Sequence, residues 1–262
     1  MYKFSLAYPT PQHERASRRV VEFFSRQPDV DAVLLTCSCA RGRASRDSCL
    51  DIVVLTPVNL PTIRRSELEQ AWKNVCESET VFQELRQVGR YSNVDLEFHD
   101  GLFRPPEHGW TTGPDEFEVE IGNLLAYNVP LWEQGGHLER LKAQWLPYYD
   151  EALRRGRLEM VHRFCLNNLD HIPLYVEREL YFQSFRRLYH AFGEFLQALF
   201  ISRRIYPIAY DKWVREQIVD ILGLPELYTQ LPQLFEIQRF ESHEMADKAE
   251  SLKRLLVQYV CE

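Results

Sequence analysis

The chain has 262 residues, with 31 Lys and Arg against 38 Asp and Glu, giving a formal net charge of −7. Hydrophobic residues make up 45% and charged ones 26%, a globular balance that excludes a disordered chain and removes any need for a metal or disulfide staple. The acidic excess argues against a nucleic-acid protein working through a broad basic face, and six cysteines are too few for a secreted disulfide scaffold.

No apolar run approaches the roughly 18 residues of a membrane span, and residues 1–9 carry no signal-peptide pattern. The expected setting is soluble, reducing and cytoplasmic. Thr10-Pro11 reads as an N-cap with proline at the first helical position. Val20, Val21, Phe23 and Phe24 give that helix an apolar face, and Gln27-Pro28-Asp29 ends it. Ala32-Val33-Leu34-Leu35-Thr36 is a short apolar run expected as a buried strand, and Leu50-Asp51-Ile52-Val53-Val54-Leu55 is a second, stopped by Thr56-Pro57. Residues 66–79 are expected as a helix. Asn93-Val94-Asp95-Leu96-Glu97-Phe98 alternates and is expected as a third strand.

Residues 102–114 are rich in Pro and Gly and are expected as a loop or linker. From about Glu116 onward the pattern is helical, with helices expected over 138–149, 158–169, 177–204, 212–222 and 243–260. Pro147, Pro173, Pro207, Pro225 and Pro232 punctuate them. The resulting fold class is α+β. An N-terminal domain (1–105) carries a sheet and flanking helices, and an all-α bundle (106–262) follows.

The chemistry concentrates between the first two strands, in Thr36-Cys37-Ser38-Cys39-Ala40-Arg41-Gly42-Arg43-Ala44-Ser45-Arg46-Asp47-Ser48-Cys49-Leu50-Asp51. Asp51 lies just inside the second strand. Asp95 and Glu97, two apart on the third, share one face. If that face turns toward Asp51, carboxylates from neighbouring strands converge as hard oxygen ligands for Mg²⁺ on a triphosphate. A small serine-bearing turn suits phosphate oxygens, and Arg41, Arg43 and Arg46 suit the same charge; a solvated basic loop is the other reading of those arginines. Cys37-x-Cys39 with Cys49 lacks a second Cys-x-x-Cys pair or a nearby His-x-x-x-His, so packed small-hydrophobe cysteines are expected rather than zinc ligands.

The stretch resembles the nucleotidyltransferase superfamily of the DNA polymerase β type, in particular its minimal and antibiotic-modifying members. Ser38, Ala40-Arg41-Gly42, Ser48 and Asp51 fall in register with the signature of that family without a gap. The resemblance implies a mixed sheet with flanking helices and transfer of a nucleoside monophosphate, AMP from ATP, to a hydroxyl of a small molecule or protein. It implies Mg²⁺ or Mn²⁺ held by Asp51 with Asp95 or Glu97, of which Asp95 is favoured. Ser38, Arg41, Gly42, Arg43 and Ser48 are then nucleotide-binding. Two positions depart from the signature: Cys37 stands where the family has glycine, and Cys49 where it has the first metal-binding aspartate. Soft sulfur is a poor Mg²⁺ ligand. The alternative is therefore a catalytically degenerate nucleotide-binding or regulatory module on the same fold.

In the helical half, Phe185, Leu188, Phe192, Phe195 and Leu199 form a stripe expected to be core. Arg186, His190, Glu194 and Gln197 form a polar stripe expected to be a solvated face; the sharper reading gives Glu194 the role of base toward the acceptor hydroxyl. Lys212, in Asp211-Lys212-Trp213, is a candidate phosphate contact beside the plainer reading of a surface charge. Glu118-Val119-Glu120-Ile121-Gly122 and the segment 189–200 resemble the helical domain found behind some of these nucleotidyltransferases.

Overall fold

A computed structural model describes residues 6–104, 120–208 and 212–260. Most of the expected 102–114 loop, together with Glu118, Val119, Asp211 and Cys261, lies outside the described residues. The chain forms two compact units, one of residues 1–103 and 124–146, the other of 104–123 and 147–262.

In the first unit, α1 (Pro11–Phe24) begins as its sequence dictates. Thr10 is extended, its side chain accepts from the His13 N–H, and Pro11 occupies the first turn. The residues α1 buries recur at helical spacing: His13, Ala16, Ser17, Val20 and Phe24. Strand β1 (Ala32–Leu35) is buried along its whole length. A one-turn helix, α2 (Cys37–Ala40), separates it from β2 (Leu50–Leu55). Helices α3 (Thr62–Ser78) and α4 (Thr80–Arg86) then lead to β3 (Val94–His99). β1 and β2 are antiparallel, whereas β2 and β3 are parallel, which the α3–α4 crossover makes possible.

Side-chain alternation divides the sheet. Val33, Leu35, Leu50, Ile52, Val54 and Phe98 join Val20 and Phe24 of α1, Leu68 and Trp72 of α3, and Phe82 and Leu85 of α4 in one core. Its aromatic centre sets Trp72 5.4 Å from Phe24 and 5.2 Å, edge on, from Phe82, geometries favoured by the ring quadrupole. Asp51, Asp95 and Glu97 occupy the alternate positions and so face away from this core.

After α5 (Glu120–Ala126), the chain forms a strand where a helical pattern was expected. β4 (Val129–Glu133) pairs antiparallel with β1, giving the mixed order β3-β2-β1-β4. The segment is short and carries Pro130, which cannot donate to a ladder and is tolerated at a sheet edge. Its register shifts between Val33 and Leu34. The identity of β4 comes from the exposed edge of β1, not from a period of its own. α6 (His137–Trp145) follows and is tied down by a 2.8 Å contact from His137 Nδ1 to Asp31 Oδ2.

The second unit is helical. α7 (Glu151–Glu177) starts at Asp150, whose carboxylate accepts from the N–H groups of Ala152 and Leu153. It continues past Pro173 without ending, so the expected break there is corrected. Burial of Ile172 and Val176 on either side of the proline offsets the roughly 3 kcal/mol that proline costs a helix interior. α8 (Tyr181–Ser202) packs on α7, and α9 (Pro225–Gln230) and α10 (Glu244–Tyr259) complete a core that includes Cys165, Leu169, Leu188, Phe195 and Leu199. Residues Glu216–Ile221, within a segment expected as an α-helix, form a π-helical turn.

One expectation for this unit reverses in part. Glu194 and Gln197 are each only 3% exposed, so that half of the α8 polar stripe is buried, whereas Arg186 is exposed and His190 half-buried. Asn168 Nδ2 lies 3.0 and 2.9 Å from the two Glu194 oxygens, and Arg187 donates to Asn168 Oδ1 at 2.7 Å. Hydrogen bonding across α7–α8 makes the burial tolerable. The fold is thus α+β, a small mixed sheet with flanking helices and an all-helical part. No helix among the described residues is long and apolar enough to cross a membrane.

Candidate functional site

The site forms where β1 ends and β2 and β3 begin. Thr36 closes β1 by donating to the Asp51 carbonyl through both its N–H (3.0 Å) and its hydroxyl (3.3 Å), which places Asp51 beside the mouth of the turn. Cys37 follows with φ +52°. This left-handed backbone costs a residue with a Cβ on the order of 1–2 kcal/mol. It falls at the position where the signature that the chain resembles has glycine, the residue that adopts such a φ at least cost.

Ser38 lies in α2 and is half-buried; its carbonyl accepts from Arg43 N at 2.9 Å. A one-turn helix thus replaces the open turn expected here. Arg41 is 5% exposed. Gly42 takes φ +68°, so its lack of Cβ is used, and Arg43 is exposed.

The loop back to β2 is pinned along its length. Ser48 Oγ accepts from Ser45 N at 2.9 Å, which engages this candidate hydroxyl in loop structure. Buried His13 donates from Nε2 to the Ser48 carbonyl at 3.0 Å, leaving Nδ1 to accept from the Thr10 hydroxyl at 2.8 Å. Arg46 Nε donates to Val88 O at 2.6 Å, and Ser92 Oγ to Arg46 O at 2.7 Å. Gly89 allows this approach, since a Cβ there would lie 2.5 Å from Asp47 Oδ1 and 2.8 Å from Asp47 Cα. Sequence reasoning missed His13, Asp47, Gly89 and Ser92. Only His13 left a signal, as the third residue after the Thr10 cap.

Register places the three carboxylates along the sheet. Asp51 is the direct partner of Asp95, and Val53 of Glu97. Asp51 and Asp95 therefore stand side by side on one face, with Glu97 one step further along it. Asp51 is half-buried, whereas Asp95 and Glu97 are exposed. Among the described residues, no group of three or more His, Cys, Asp and Glu is arranged to hold a metal; the site offers a cross-strand carboxylate pair. Such a pair fits a hard divalent cation that takes its remaining ligands from water and phosphate.

Cys49 completes the site. Its thiol donates to Asp51 Oδ1 at 3.0 Å. Burial first, then the hydrogen bond to Asp51 and the charge of that carboxylate, push the thiol up to about 12. Cys39 donates to the Cys49 carbonyl at 3.6 Å and is also pushed up to about 12, by burial and then by Asp51. Both sulfurs are neutral thiols at physiological pH.

The structure thus gathers Ser38, Arg41, Gly42, Arg43, Ser48, Asp51, Asp95 and Glu97 at one end of the sheet. Glu194 and Lys212 belong to the second unit. Glu194 is locked against Asn168 there, and Lys212 is exposed, its carbonyl accepting from Gln217 Nε2 at 2.8 Å.

No family model and no curated protein matches this chain. Among solved structures, it is similar to a toxin–antitoxin protein determined with AMP-PNP, at 18% identity and a TM-score of 0.35, covering 56% of this chain and 96% of that one. It is also similar to a nucleotidyltransferase-like protein from Exiguobacterium sibiricum 255-15, at 13% identity and a TM-score of 0.47, covering 94% and 74% respectively. These are likenesses of fold, and at such identities no residue's role carries across.

Proposed function

We propose that the end of the sheet around Ser38, Asp51 and Asp95 is a nucleotide site, and that the chain transfers AMP from ATP to a hydroxyl of a small molecule or a protein. The observation that carries this reading is the register pairing of Asp51 with Asp95 beside the β1–α2 turn. Two adjacent carboxylates on one face repel each other, and a cation shared between them turns that repulsion into attraction.

In this reading Asp51 and Asp95 hold Mg²⁺ or Mn²⁺, with Glu97 next along the face. The cation supplies neutralisation of the triphosphate's charge. Ser38 and Arg43 contact phosphate oxygens, and Gly42 gives the backbone its close approach. The acceptor oxygen forms a bond to the α-phosphorus as the bond to the β-phosphate oxygen breaks. Pyrophosphate leaves, and the acceptor's proton passes to a carboxylate of the exposed pair Asp95 and Glu97. Glu194 takes no part in this scheme because both its oxygens are engaged by Asn168.

Pyrophosphate release from ATP with Mg²⁺ or Mn²⁺ over a panel of hydroxyl acceptors tests the proposal. Turnover that disappears in Asp51→Asn and Asp95→Asn supports it; turnover unchanged in both variants would sink it. A second reading, nucleotide binding without turnover, is favoured by the Cys49 thiol, a donor at the position of an expected ligand. ATP binding by the parent with no pyrophosphate release, and release appearing in Cys49→Asp, would select it.

A further inference from the structure

We propose that Cys49 is a positioning residue: its thiol orients the Asp51 carboxylate so that Asp51 and Asp95 hold a single divalent cation. The inference rests on the nucleotide-site reading and deepens it.

Residues 49 and 51 point to the same side of an extended segment, and Sγ comes within 3.0 Å of Oδ1. A hydrogen bond at that distance restricts rotation of the carboxylate, and soft sulfur is itself a poor ligand for a hard cation. Its effect on Asp51 is therefore orientation. The rest of the residue is held as well, since Thr36 donates twice to the Asp51 carbonyl, at 3.0 and 3.3 Å. Cys49 is in turn held through its own carbonyl by the Cys39 thiol at 3.6 Å. The sequence Cys39 to Cys49 to Asp51 thus links a buried thiol of α2 to the carboxylate at the site.

A carboxylate at position 49 would bring two further oxygen donors beside Asp51, the supply a second cation needs. The thiol brings none. What remains is one cross-strand pair, and one or two carboxylates plus phosphate and water are the usual donor set of a single Mg²⁺.

The test is titration of the full chain with Mn²⁺ alone, followed by the electron paramagnetic resonance signal of the free ion. The parent is expected to bind one equivalent. Cys49→Ala should weaken that equivalent by about 10-fold, the usual scale for removing an outer hydrogen bond on a metal ligand. Cys49→Ser, which keeps a donor, should bind within about 2-fold of the parent, and Cys49→Asp should take up a second equivalent. Rescue by serine separates orientation from packing, because the smaller hydroxyl restores the donor and not the volume of sulfur. Two equivalents in the parent, or equal affinity in the parent and Cys49→Ala, would overturn the role of Cys49 and leave the nucleotide site standing. Mn²⁺ uptake that is the same in the parent and in Asp51→Asn would overturn the underlying reading instead.

Discussion

Asp51 and Glu194 are both carboxylic side chains that accept from a neutral donor, yet they sit in opposite circumstances. Asp51 is half-buried at the end of a sheet, accepts from one thiol, and has a second carboxylate as its cross-strand neighbour. Glu194 is enclosed between two helices and bound at both oxygens by one amide, itself held by Arg187. The first arrangement keeps like charges close and accessible, which suits binding of a cation. The second satisfies a polar group so that it can be buried, which makes it part of the core. Solvent access and the sign of the neighbours, more than residue type, separate a site from a scaffold.

The largest effect should come from breaking the scaffold. Glu194→Ala leaves the buried Asn168 amide without its carboxylate partner, and we expect a loss of about 3 kcal/mol, read as a lower urea midpoint at unchanged m-value. A loss under about 0.5 kcal/mol would show that this network contributes little. Next in size, on the proposed function, Asp51→Asn should reduce pyrophosphate release from ATP about 100-fold, equivalent to about 2.7 kcal/mol of transition-state stabilisation, while moving the urea midpoint little. A large stability change in this variant with activity retained would place Asp51 among scaffold residues.

A smaller effect sharpens the account of the turn. Cys37→Gly removes the strain of a left-handed cysteine at φ +52° but restores freedom to the unfolded chain. The balance should be a gain of about 0.5–1 kcal/mol, measured by thermal and urea unfolding. A loss would mean that the Cys37 side chain packs usefully despite its exposure.

The smallest effect is pH-dependent. His190 is held below its ordinary value of 6.5, by burial and then by Arg186 and Arg187. The unfolded chain therefore binds more protons between the ordinary and the folded values. This contribution to stability is complete above about pH 6.5 and is lost as pH falls through that window. The urea midpoint of the parent should drop on acidification more steeply than that of His190→Gln; parallel curves would remove His190 as a cause.

Much of the local structure was legible in the sequence because its causes are local. Thr10-Pro11 sets the start of α1 through a side-chain cap and a fixed φ, and the apolar runs of β1 and β2 announce buried strands. The shared face of Asp95 and Glu97 follows from alternation alone. β4 was not legible, since Val129-Pro130-Leu131-Trp132-Glu133 has no strand period and is recruited by the edge of β1. Pro173 misled for the opposite reason, as packing on both sides of it outweighs a local breaker.

By itself, the sequence determined that a serine-bearing turn joins two buried strands, that an aspartate opens the second, and that cysteines replace a glycine and an aspartate of the signature it resembles. Caps, alternation and backbone restriction act over a few residues and are written in the chain. Only the tertiary structure decided that Asp51 stands opposite Asp95 and not Glu97, that the Cys49 thiol turns to Asp51, and that Glu194 is enclosed by Asn168. Strand register and burial depend on partners distant in sequence, brought together only when the whole core closes.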